Sequence, residues 1–490
     1  MTSIEIPSSV TSIGEAAFGD CSGLTNIEIP TSVTDIGERA FLGCERLTNI
    51  KIPSSVKDIK YGTFSGCDSL KSIEIPYSVT NIGDYAFHEC ISLTNIKIPA
   101  SVTNIGECAF YGCKGLTNIE IPSSVTDIGD CAFTECNGLT TIKIPSSVIS
   151  IGEGIFKKCE NLTTINVSSD NPKYSAEDGV LYDKKKEKII SLLTRASGEF
   201  QIPSTVTSIG NGAFSNCYNL TSIKIPSSVT NIGDGAFWGC YGLTSINFPS
   251  SVISIGKKVF EGCKNLTKID VSSDNPKYSS IDGVLYNKKQ TKIIYFPKEF
   301  KGKFAIPSSV TIIGECTFQG CEGLTAIDIP SSVTTIESLA FYECGGLTTI
   351  FIPSSVTDIE EFAFGGCEKL TTIENASSIT CIKKYTFSSC INLTTINIPP
   401  SVTNIEECAF LSNISLKTIE IPSSVTHIGK SAFQECKGLT SIKIPSSVTN
   451  IDEFAFYICE NLNVTIDNSE KNVKFDREAF LGCKSVTYLK

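Results

Sequence analysis

Cysteine is the residue type most able to do chemistry here, with 22 copies among 490 residues. Seventeen of them form one column that begins at Cys21, Cys44, Cys67 and Cys90, with a step of 23 that widens to 58 at two places. A metal centre needs ligands converging on one ion from clustered spacings, and one thiol per 23 residues does not converge. Such a column reads instead as a row of small buried hydrophobes. Cys108, Cys131, Cys316, Cys381 and Cys408 lie off it. Cys108 and Cys131 are 23 apart, so a disulfide between them stays open at this stage. The two histidines, His88 and His427, are far apart, and neither has a nucleophile or carboxylate at a telling distance. Serine and threonine are abundant because they belong to a recurring Ser-Ser-Val-Thr phrase, and no glycine-rich phosphate loop is present. No catalytic residue, cofactor site or metal site is expected, and the chain is read as a non-enzyme.

The elements behind that spacing come from a phrase close to L-T-x-I-x-I-P-S-S-V-T-x-I-G-x-x-A-F-x-x-C, repeated every 23 residues from the first coils to Leu439 and Leu462. A fixed period between 20 and 29 marks a solenoid, because one such unit cannot bury its apolar face alone and must stack on its neighbours. In the copy from Leu24, Ile27 and Ile29 alternate with Asn26 and Glu28, the pattern of a strand buried on one face. Pro30 ends it, since proline has no N–H for a ladder. Val33 and Ile36 read as a second short extended piece, and Glu38 to Cys44 as a short helical turn. The chain is therefore expected to be one solenoid over 1–490. It is mainly β with short helical turns, has a parallel β-sheet along one face, and comprises about twenty coils.

Two coils are longer, with the strand anchor stepping by 35 from Val167 to Ile202 and from Val271 to Ile306. Both carry the text S-D-N-P-K-Y, then D-G-V-L-Y, then K-I-I. This predicts β-hairpin insertions in the coils at 168–201 and 272–305, either as decoration or as a docking ridge presenting Tyr182, Tyr286 and Tyr295. The segment 463–490 departs from the phrase and reads as a partial C-terminal cap.

Two surface columns are candidates for protein binding. On the sheet face the outward residue alternates Glu28, Lys51, Glu74, Lys97, Glu120, Lys143, which predicts a self-neutralised charge ladder. The alternation breaks at Asn166 and again at Asp270, Asp328, Phe351, Glu374 and Asn397, and Phe351 is the one aromatic. Two residues before the repeat phenylalanine, successive coils carry Leu339, Phe362, Tyr385 and Cys408, with Phe454 further on. Stacked apolar residues there read either as packed against the next coil or as a stripe for a partner or a second copy of the chain. The usual glycine after the second isoleucine becomes Lys60, Glu337 or Glu360 elsewhere, so that position is read as an exposed turn with no need of positive φ.

A net charge of −11 argues against nucleic acid or an anionic membrane as partner, and no apolar run is long enough for a membrane span. Met1 opens directly into a repeat, Ile4-Glu5-Ile6-Pro7, with no leader pattern. A fragment, an export signal lying outside the chain, and an intracellular protein are all consistent with this. Eight N-x-[ST] sequons, including Asn413, follow from asparagine being tolerated before a fixed Leu-Thr or nearby Ser/Thr.

The phrase I-P-S-S-V-T-x-I-G-x-x-A-F-x-x-C-x-x-L closely resembles the BspA-type leucine-rich repeat, and the D-G-V-L-Y insertion is similar to one in that family. The resemblance implies a leucine-rich-repeat solenoid. It further implies a surface-displayed or secreted protein used in adhesion, with a host matrix or cell-surface protein as partner and no catalytic residues to carry over. An intracellular interaction scaffold is the alternative, and a repeat array without a fixed ligand is a third reading.

Overall fold

The computed structural model describes residues 2–469 and 473–489. These fall into two compact units, Met1–Leu243 with Ser251–Cys263, and Thr244–Ser250 with Lys264–Lys490. Both are built from the same coil, and the whole is a parallel-sheet β-solenoid of about 21 coils.

A regular coil begins with a strand of two to four residues, such as Asn26–Glu28 or Ser72–Glu74, paired in parallel with the strand one repeat away. Its isoleucines point inward and the residues between them outward, so Ile27 and Ile29 are buried. The proline then closes a tight turn, with the Val33 N–H donating to the Pro30 carbonyl at 3.0 Å. A two-residue strand follows, such as Asp35–Ile36, which forms a second parallel ladder.

The expected helical turn is absent, and no helix occurs among the described residues. The residues two before and two after the repeat phenylalanine both have left-handed φ, as at Ala16 (50°) and Asp20 (56°) or Arg39 (54°) and Gly43 (66°). A right-handed helix cannot pass through such positions. The segment is a run of tight turns whose alternate amides reach the next coil. Ala16, Phe18 and Asp20 donate to the carbonyls of Glu38, Ala40 and Leu42 at 2.9, 2.8 and 2.7 Å. Each coil is thus tied to its neighbour on three sides.

The core is a set of parallel columns. In the first unit the rings of Phe18, Phe41, Phe64, Phe87 and Phe110 stack with centroids 5.3 to 5.6 Å apart. In the second unit Phe318, Phe341 and Phe364 repeat this at 5.0 Å. Offset stacking of this kind adds to the burial energy of each ring.

The two insertions are three-stranded rather than simple hairpins. Tyr174–Glu177, Val180–Asp183 and Lys188–Leu192 form an antiparallel meander, and its third strand pairs in parallel with Ser208–Ile209. It therefore takes the place of the short second strand, as the sequence suggested. Tyr278–Ile281, Val284–Asn287 and Lys292–Tyr295 do the same in the second unit. The docking-ridge reading is corrected here: Tyr182 and Tyr286 are 4% and 2% exposed, and Tyr295 is buried with its hydroxyl donating to the Leu266 carbonyl at 2.7 Å. The middle strand is covered on both faces, so all of Val180, Leu181 and Tyr182 go inside.

The glycine after the second isoleucine needs no positive φ, as expected, but it is packed rather than exposed at Gly37 and Gly106. A Cβ on Gly37 would lie 2.6 Å from the Glu15 amide nitrogen, so close approach of neighbouring coils selects glycine there. In the final coil, Ser485–Tyr488 pairs with Asn463–Ile466 and leaves Leu489 54% exposed.

Candidate protein-binding face

The polar residues of the phrase serve the stack. Thr48 Oγ1 donates to the Thr25 carbonyl at 3.2 Å and Ser32 Oγ to the Val10 carbonyl at 2.6 Å, each one coil back. The thiol column does the same: Cys67 Sγ donates to Phe41 O at 3.3 Å and Cys113 Sγ to Phe87 O at 3.1 Å. Where Asn413 replaces cysteine, its Nδ2 donates to Phe387 O and Phe410 O at 2.9 and 3.0 Å. The column is thus a row of small buried donors, which sequence reasoning reduced to filler. All 22 thiols are free, Cys108 and Cys131 included. Burial pushes Cys44 up to about 12 and Cys113 well above the ordinary thiol range, so these sulfurs are protonated and unreactive. Among the described residues no group of three or more His, Cys, Asp or Glu is placed to hold a metal ion. No helix there is long and apolar enough to cross a membrane.

The insertion phrase D-N-P has a structural cause as well. Asn171 is fully buried, donates to the Pro145 and Val148 carbonyls at 2.8 and 2.9 Å, and accepts from the Lys173 and Tyr174 amides at 2.9 and 2.8 Å. Every hydrogen-bonding site of the amide group is used, so it is a latch and not a ligand site.

The sheet-face charges of the first unit sit in register, with Glu74 opposite Lys97, Lys97 opposite Glu120 and Glu120 opposite Lys143. They approach as neighbours on adjacent strands without closing into contact ion pairs. In the second unit the pattern changes. Lys303 pairs with Asp328 at 2.8 Å and Lys443 with Asp467 at 3.4 Å, and between them the outward column reads Phe351, Glu374, Asn397, Glu420. Phe351 is 50% exposed. Around it the sheet is irregular. Asn375 and Ala376 replace the buried isoleucine and the corner proline, and the next strand, Thr395–Ile396, has two residues. Thr418 joins it by a single bridge. The result is an open hollow on the sheet face bounded by Phe351, Glu374, Asn397, Thr418 and Glu420. Asn375 itself is 3% exposed, and its Nδ2 has no hydrogen-bond partner.

The turn-side residues take a different form. Leu339, Phe362 and Tyr385 are half-buried, and Cys408 is buried. The rings of Phe362 and Tyr385 stack at 4.5 Å, and Tyr342 meets Phe362 edge-on at 6.2 Å. All four candidate positions have left-handed φ, between 54° and 58°. An L residue with a large side chain is disfavoured there, a signal that no sequence pattern carries. A matching aromatic group in the first unit went unnoticed in the sequence: Arg39 lies over Tyr61, and Tyr61, Tyr85, His88 and Tyr111 follow ring to ring at 4.9 to 5.5 Å. Its members come from three different columns, three before, two before and one after the repeat phenylalanine, so no single column shows it.

Stacked coils with a parallel sheet on one face, an all-structural polar phrase and open side-chain columns define a leucine-rich-repeat solenoid. The BspA type leucine rich repeat region matches residues 1–114, 80–183, 194–302, 300–416 and 409–490, and the chain belongs to that family. Similar solved structures include a leucine-rich repeat protein from Eubacterium ventriosum, 29% identical over 76% of this chain and 89% of that one, with a TM-score of 0.46. A leucine rich cell surface protein from Faecalibacterium prausnitzii is 26% identical over 96% and 89%, with a TM-score of 0.36. A leucine-rich repeat protein from Bacteroides ovatus is 25% identical over 100% and 92%, with a TM-score of 0.38. A comparison with curated proteins finds no match.

Proposed function

We propose that this chain is a non-catalytic protein-binding solenoid, displayed on a cell surface or secreted, that acts in adhesion or host interaction. Family membership supports the interaction role, and the cell-surface name of the Faecalibacterium prausnitzii relative supports the location. The observation that carries the reading is the sheet face of the second unit, where a half-exposed phenylalanine interrupts the charged and polar run from Asp328 to Lys443. Exposed aromatics are strong anchors in protein interfaces because they bury a large area at low entropic cost. The alternative, an intracellular scaffold, draws on the free thiols, which suit a reducing compartment. The turn-side stripe of Leu339, Phe362 and Tyr385 is proposed as a second contact surface, including for self-association; a Phe362→Asp, Tyr385→Asp variant with unchanged solution mass would count against the latter.

The test is saturable binding of the purified chain to a panel of immobilised matrix and cell-surface proteins, alongside antibody labelling of intact producing cells. Binding that Phe351→Ser weakens, with labelled intact cells, is the expected result. Labelling only after permeabilisation would favour the scaffold. Binding no stronger than that of an unrelated solenoid would overturn the interaction role.

A further inference from the structure

We propose that the hollow at Phe351 receives an extended, lysine- or arginine-bearing segment of another protein. This deepens the protein-binding reading and rests on it. Three observations favour a basic occupant over a neutral or acidic one.

The first is charge without compensation. Along the first unit's sheet face each carboxylate from Glu74 to Glu120 has a lysine in register beside it. Glu374 lies in register with Phe351 on one side and is followed by Asn397 on the other, so no lysine stands beside it; Glu420 has only Lys443, one coil on, and that lysine is drawn to Asp467 at 3.4 Å. Among the described residues neither Glu374 nor Glu420 forms an ion pair, and Lys417, three positions before Glu420, forms none either. A basic group arriving there gains two carboxylates without displacing a bound lysine.

The second is the ring. Phe351 stands half-exposed on the same row as the two carboxylates. An aromatic face attracts a cation by its quadrupole, and a guanidinium can stack flat upon it while its edge reaches a carboxylate. The third is spacing. Glu374 and Glu420 lie two coils apart, roughly 10 Å at one strand spacing per coil. Alternate side chains of an extended segment are about 7 Å apart, and the long stems of lysine or arginine cover the difference. The loss of the corner proline at Ala376 and the single bridge at Thr418 leave the face hollow where a regular coil would fill it.

The probe is a fluorescein-labelled heptapeptide of alternating arginine and serine, with a glutamate-for-arginine version as its counterpart, read by anisotropy against the full chain. Saturable binding of the arginine peptide alone is expected. Phe351→Ser should weaken it at least about fivefold and Glu374→Gln with Glu420→Gln at least about tenfold, while Glu74→Gln with Glu120→Gln, which removes the same charge from the compensated face, changes it less than about twofold. Equal weakening by both double variants means diffuse attraction to an acidic protein and overturns the proposal, as does indifference to Phe351→Ser or equal binding of the glutamate peptide. All substitutions are at outward positions, and unchanged circular dichroism and melting confirm the fold. If the matrix panel binds but the arginine peptide does not, the basic-segment assignment fails while the protein-binding reading stands; if neither binds, both fall.

Discussion

Most thiols of the cysteine column donate a hydrogen bond to the carbonyl of a phenylalanine one coil back, as Cys67 and Cys113 do, so a compact side chain with donor ability is selected there. Cys113→Ala removes the packed sulfur and its hydrogen bond to Phe87 O, and a loss of about 1–2 kcal/mol in unfolding free energy is expected by urea titration. The same burial controls reactivity. In the native chain a maleimide should label only the partly exposed Cys21, Cys131, Cys316, Cys381 and Cys483, with the buried thiols reacting on unfolding; mass spectrometry of early-labelled Cys113 would contradict this. At Gly212, φ is 59° and a Cβ would meet nothing closer than 3.8 Å, so Gly212→Val isolates the cost of the left-handed backbone. A loss of about 1–2 kcal/mol is expected there. His88 lies against Tyr85 and Tyr111, and burial lowers its pKa, with Glu89 and Glu135 opposing. A lowered folded-state value means that the unfolded chain takes up the proton first. This group's contribution is therefore neutral above the ordinary histidine range and destabilising as pH falls through it. His88→Gln should flatten the stability profile between about pH 7 and 5, relative to the parent, in denaturant titrations at each pH.

At the scale of the element, the coil is three short ladders joined by turns, and its strength lies in bonds to the next coil. Strand, proline corner and second strand were legible because alternation and proline chemistry are local. The turn segment was not. Alanine, phenylalanine and cysteine at three- and four-residue spacing suit a helix, and only the left-handed residues flanking the phenylalanine exclude one. Those positions hold glycine in some coils and arginine, tyrosine or lysine in others, so the conformation is imposed by stacking rather than by composition. The insertions show the same division. Two apolar stretches around a charged turn announced an antiparallel pair, but the third strand and the burial of Tyr182 and Tyr286 depend on what covers them. The meander also satisfies the coil before it: the Ile151 N–H, which has no following strand to receive it, donates to Tyr174 Oη at 2.9 Å. Tyr174→Phe leaves that amide unpaired and should cost about 1–3 kcal/mol, with faster hydrogen exchange at Ile151.

Across the whole molecule, the repeat makes length an adjustable quantity. Removing one complete coil, such as residues 93–115, brings equivalent residues back into register, and the shortened chain should fold with an unchanged circular dichroism spectrum. Removing half a coil turns the buried columns outward and should leave an aggregating chain. The sequence by itself determined the solenoid class and the inward and outward columns, because a periodic phrase has only one way to bury the same apolar letters in every turn. It also singled out Phe351 as the break in the sheet-face pattern. Only the tertiary structure decided which candidate side chains are open to a partner. Exposure depends on neighbours one coil away, so Phe351 stands half-exposed beside the unpaired Glu374, while Tyr182 and Tyr286 are buried in the middle strand of a meander whose letters look just as accessible when read along the chain.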